Sequence, residues 1–80
     1  MAALNAAEWA GVLNQLAGTT GLEDAGAANV WAGTTGLETI KALNVKAGTS
    51  GLGMAQVCNL LAGTTGYEPV GALNKLAGNF

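Results

Sequence analysis

The sequence has no histidine, no arginine, one cysteine and one proline, and only three lysines set against five acids in 80 residues. Each scarcity removes a class of function. Without histidine, and with Cys58 alone, no His/Cys cluster can hold a metal, and the cysteine has no histidine to activate it as a nucleophile. A lone cysteine cannot form an internal disulfide, so stability has to come from packing or from partners. A net charge of −2 with scattered lysines lacks the basic footprint that nucleic acid requires. An enzyme needs an acid/base pair or an activated nucleophile, and the sparse acids form no such constellation. Neither catalytic nor cofactor-binding residues are expected, and the chain reads as a non-enzyme.

Membrane and export signals are equally thin. No early lysine or arginine precedes Glu8, so the first residues do not form a signal peptide. The longest charge-free run, Ala47 to Tyr67, is long enough to span a bilayer. It is interrupted by Gln56, Asn59, several hydroxyls and five glycines, which argues against a span. Aromatic residues number four: Trp9, Trp31, Tyr67 and Phe80.

What is abundant is small. Alanine and glycine fill 29 of the 80 positions, and they recur in a fixed order. Ala-Gly-Thr-Thr-Gly-Leu occupies 17–22 and 32–37, then returns as Ala-Gly-Thr-Ser-Gly-Leu at 47–52 and Ala-Gly-Thr-Thr-Gly-Tyr at 62–67. Every step is fifteen residues. Asn14, Asn29, Asn44, Asn59 and Asn74 keep the same interval, and Ala77-Gly78 opens a further copy. Such self-similarity is the mark of a repeat architecture.

Each unit reads as one short helix of about ten to twelve residues, roughly 15–18 Å long. Gly18, Gly33, Gly48, Gly63 and Gly78 follow an alanine where a left-handed residue ends a helix. Thr20/Glu23, Thr35/Glu38 and Thr65/Glu68 have capping-box spacing, as do Asn5 and Glu8. Helices starting at those threonines leave connectors near 18–20, 33–35, 48–50 and 63–65. Pro69 conflicts with that start unless its helix begins near Glu68. A β-solenoid is the competing architecture, but the unit interiors are alanine- and leucine-rich without period-two alternation. The expected fold is all-α, with about five short helices in a single domain over residues 1–80, arranged as a solenoid or a compact bundle.

Leu37, Ile40, Leu43, Asn44 and Ala47 share one helical stripe, and Leu52, Ala55, Cys58, Asn59 and Ala62 repeat it. The recurrent asparagine therefore faces apolar neighbours and needs polar partners. The backbone of an adjacent connector can supply them and hold units in register. Cys58 takes the place of Leu13, Leu43 and Leu73, a small core hydrophobe. Gly11, Gly26 and Gly71 fall inside helices, which points to close approach of another helix backbone. Trp31 shares its position with Leu16, Leu61 and Leu76 and reads as core. Trp9 shares its position with Asp24, Thr39, Met54 and Pro69, so it reads as outward-facing. Trp9, Tyr67 and Phe80 are thus the candidate partner-binding anchors.

These strings, with Ala-Ala-Asn-Val-Trp-Ala-Gly at 27–33 and Ala-Leu-Asn-Val-Lys-Ala-Gly at 42–48, resemble glycine/alanine-rich repeat segments in virion proteins of tailed bacteriophages that infect actinobacteria. The resemblance covers nearly the whole chain and defines no catalytic or binding residues. It implies a structural virion protein, a minor capsid or decoration component docking in many copies on the major capsid protein. A tail component, or a module that binds the host envelope through its repeated threonine connectors, is the alternative. The thin core and bare array ends lead to the same expectation of self-association or docking on another virion protein.

Overall fold

The structure, a computed structural model, describes the backbone of residues 6–79 and the side chains of residues 8–79. Five helices follow in order: α1 (Ala6–Ala17), α2 (Asp24–Ala32), α3 (Thr39–Ala47), α4 (Met54–Ala62) and α5 (Pro69–Ala77). No strand occurs among the described residues, so the fold is all-α.

Each helix ends for the reason the glycines suggest. The five glycines that follow the helices, Gly18 to Gly78, have φ between 72° and 82°, a region that costs a Cβ-bearing residue steric strain. In the first unit, the Gly18 N–H donates to the Gln15 carbonyl and the Thr19 N–H to the Asn14 carbonyl, a Schellman closure. The pair repeats in all five units.

The starts differ from expectation. Residue 23, 38, 53 or 68 is the N-cap of α2 to α5, in extended backbone, and no side chain caps these four helices. Thr20, Thr35 and Thr65 therefore do not form capping boxes, and the connectors are six residues long (18–23, 33–38, 48–53 and 63–68) rather than three. In three of the four connectors the second glycine of the repeated string accounts for this, whereas Gly51 in the fourth is not left-handed and α4 starts no earlier. Gly21, Gly36 and Gly66 are also left-handed, which no helical first turn accommodates. Among α2 to α5 the reciprocal contact survives in α4, where the Gly53 N–H donates to Gln56 Oε1 at 3.0 Å. Pro69 opens α5, where its missing N–H removes no intrahelical bond. Asn5 lies outside the described residues.

Counterpart residues of neighbouring units meet. Thr39 Oγ1 donates to Asp24 Oδ2 at 2.9 Å, joining the first residues of α2 and α3. Near their other ends, Lys46 Nζ stands 5.3 Å from the centre of the Trp31 ring. Contacts at both ends between like positions make α2 and α3 parallel and side by side. Each helix packs on its sequence neighbours, and α1 packs on α5, so the array closes into a five-helix ring. The end of α1 lies beside the end of α5: Gln15 Nε2 donates to Asn79 Oδ1 at 3.1 Å, and Asn79 Nδ2 donates to Gln15 Oε1 at 2.8 Å. Of the two expected arrangements the structure is the compact one, and the array ends expected to be bare cover each other. The Cα envelope measures 30 × 27 × 19 Å.

Leu13, Ala28, Leu43, Cys58 and Leu73 hold one position in the five units and are fully buried, forming the core of the ring. Val12, Ala27, Ala42, Val57 and Ala72, one residue earlier, are also buried and were absent from the stripe drawn on the sequence. The stripe's Ala55 is instead exposed, and its Leu37 and Leu52 sit in connectors.

Candidate functional site

The most regular polar feature is the asparagine of each unit. Asn14 Nδ2 donates to the Ala10 carbonyl at 2.7 Å, one turn back, and to the Leu22 carbonyl at 2.8 Å, in the connector that follows. Its Oδ1 accepts from Thr19 Oγ1 at 2.7 Å and from the Leu22 N–H at 3.2 Å. Both amide hydrogens and both carbonyl lone pairs are used. The same four bonds brace Asn29 with Ala25, Leu37 and Thr34. Asn44 makes them with Ile40, Leu52 and Thr49, and Asn59 with Ala55, Tyr67 and Thr64. In the last unit Asn79 takes the threonine's place, donating to Asn74 Oδ1 at 2.7 Å, while Asn74 donates to Val70. The first hydroxyl of each Thr-Thr pair is thus structural, and the second (Thr20, Thr35, Ser50, Thr65) is exposed. Among the described residues no buried side-chain polar atom lacks a partner.

Charge follows helix direction except at Lys41, which lies in the first turn of α3. All five acids stand at helix starts: Glu8 and Asp24 in first turns, and Glu23, Glu38 and Glu68 as N-caps. Lys46 and Lys75 lie in last turns. Acids at helix starts and lysines in last turns offset the dipole of the helix that carries them.

The predicted anchors separate. Trp9 is half-buried and packs on the core, which corrects its outward assignment. Its position faces the adjacent unit, as the bond between its counterparts Asp24 and Thr39 demonstrates. Tyr67 is exposed and lies over Gly71, 3.5 Å from where a Cβ would stand. Phe80 lies outside the described residues. Trp31 packs on the core with Lys46 above it. The helix glycines are also reinterpreted, since no other helix crowds Gly11, Gly26 or Gly71. Gly11 has nothing within 4 Å, and the other two meet only Leu22 and Tyr67 of the preceding turn.

A surface feature not read from the sequence is the row Val30, Val45 and Leu60, at 51%, 49% and 53% exposure on α2, α3 and α4. These residues lie two positions after Ala28, Leu43 and Cys58, a rotation of about 200° that turns them away from the core. The signal was available as an apolar residue on the polar side of three consecutive repeats. Shallow grooves lie between helix and connector, one lined by Gly11, Asn14, Gln15 and Thr20, another by Lys41, Val45 and Ser50.

Burial pushes the Cys58 thiol up to about 12 from 9.0, leaving a negligible thiolate at neutral pH. No group of three metal-ligating side chains occurs among the described residues, and no described helix is long and apolar enough to cross a membrane. Searches of family models, curated proteins and solved structures find no match to this chain.

Proposed function

We propose that this protein is a structural component of a phage particle, a minor capsid or decoration protein that docks in many copies on the shell. The observation that carries this reading is an exposed apolar row on a small scaffold held by repeated hydrogen bonds. Apolar side chains exposed at one position of three consecutive repeats are suited to a protein–protein contact. The family resemblance of the repeated strings supplies the biological setting.

A second reading rests on the four outward hydroxyls, Thr20, Thr35, Ser50 and Thr65. As repeated weak contacts they suit a repeated glycan, which would make the protein a tail component or an envelope-binding module. Mass spectrometry of purified particles, comparing tailless heads with intact virions, tests both. Presence in heads supports docking on the shell, presence only in intact virions supports the tail, and absence from both overturns the proposal.

A further inference from the structure

We infer that the ring exchanges α4–α5 with a second copy of this chain, turning on the junction between Leu52 and Gly53. Two rings result, each built from α1–α3 of one chain and α4–α5 of the other. That junction is where two braced stretches of the chain meet. The Leu52 N–H and carbonyl are both held by the Asn44 amide, so Leu52 moves with α3. The Gly53 N–H donates to Gln56 Oε1 and its carbonyl accepts from the Val57 N–H, so Gly53 moves with α4. Rotation between these two residues reorients α4 and leaves both sets of bonds intact.

Composition selects this connector among the four. Glu23, Glu38 and Glu68 hold the place that Gly53 takes, and a residue without Cβ reaches rotations closed to them. Gly51 also departs from Gly21, Gly36 and Gly66 in not being left-handed. The seam beside this connector is a loose one. α3 and α4, like α5 and α1, approach each other less closely than the other three neighbouring pairs. Thr39 and Lys46 tie α3 back to α2, but their counterparts on α4 are Met54 and Leu61, which have no group to repeat either tie. A cut through the two loose seams crosses the chain once, in this connector, and divides the ring into α1–α3 and α4–α5.

The core selects the occupant. Parting the halves bares Leu13 and Leu43 on one and Cys58 and Leu73 on the other, all fully buried in the closed ring. The surface that fits α1–α3 is that of α4–α5, so a second copy remakes the contacts that the first gave up. Reciprocal exchange closes at two copies. With only the Leu52–Gly53 junction altered, concentration sets the balance. The dimer gains once the chain passes about millimolar, the effective concentration of segments joined by a short link. Baring the core makes exchange slow in the native ring and fast during refolding. Exchange involves this chain alone and is independent of the virion reading.

Chains carrying Gln15→Cys or Asn79→Cys are mixed, unfolded in urea, and refolded together under reductant at about millimolar concentration. Both positions are exposed, and Gln15 and Asn79 bond across the α1–α5 seam. A dimer is expected on gel filtration. Mild oxidation of the separated fractions is expected to link the two kinds of chain within the dimer, because in a swapped ring α1 of one lies beside α5 of the other. The monomer fraction is expected to stay unlinked. Gly53→Glu, which gives this connector the residue of the other three, is expected to reduce the dimer by about two- to fivefold while keeping the helical circular dichroism. No dimer after refolding, a dimer whose chains do not link, or a dimer just as abundant with Gly53→Glu would each overturn the inference.

Discussion

Lys46 holds its ammonium 5.3 Å above the ring of Trp31, the residue one repeat before it. The contact joins like positions on adjacent helices and is one of two such bonds that fix their parallel direction. At a surface site it contributes about 0.5–1 kcal/mol. Lys46→Ala is therefore expected to lower stability by that amount and to alter Trp31 fluorescence, read by urea unfolding followed at the indole emission.

The asparagine braces carry more. Asn44→Ala removes four hydrogen bonds and strands the Leu52 N–H and carbonyl beneath the connector. Each buried group left unpaired costs about 1–3 kcal/mol, so a loss of about 3 kcal/mol is expected in chemical denaturation. Asn44→Asp keeps the acceptor but loses both donors and introduces a buried charge, so it should be at least as damaging.

Glycines of the same repeat are expected to respond in opposite directions. Gly11 lies in α1 with nothing near its missing Cβ, so Gly11→Ala should stabilise by about 0.5–1 kcal/mol. Gly33 has φ +76°, and Gly33→Ala should destabilise by about 1 kcal/mol or more through left-handed strain. Paired thermal melts check both signs.

Cys58 is a pH probe. Its thiol is pushed up to about 12 in the fold against 9.0 in the open chain, so the unfolded state loses its proton first as pH rises. Stability from this group is full below pH 9 and declines between pH 9 and 12. Cys58→Ala, which puts in the residue found at position 28, should lack that share of the alkaline decline. In the native chain at pH 8 the thiol should resist a disulfide reagent that labels it at once in denaturant.

Period, helix type and helix ends were legible because they are local. A fifteen-residue beat, glycine after alanine and the inward asparagine each act within one unit. Helix starts were misread because Thr20 and Glu23 matched a spacing rule, while the left-handed Gly21 between them makes that rule inapplicable. The side taken by Trp9 was misread for a different reason. Polar counterparts such as Asp24 and Thr39 suggested solvent, but they bond to each other across units. Closure of α5 on α1 was not legible at all. It depends on the small angle between units summing to a full turn, and no single residue encodes that angle. The exposed row Val30, Val45 and Leu60 is present in the sequence, but apolar residues on the polar side of a helix carry no inward periodicity that would set them apart.

The circle itself is tested most directly by side-chain amide NOEs between Gln15 and Asn79, recorded at a concentration where the chain is monomeric. Cross-peaks are predicted between these two groups, and they should persist when labelled chain is diluted into unlabelled chain. Their absence, or their appearance only between differently labelled molecules, would contradict a ring closed within one chain.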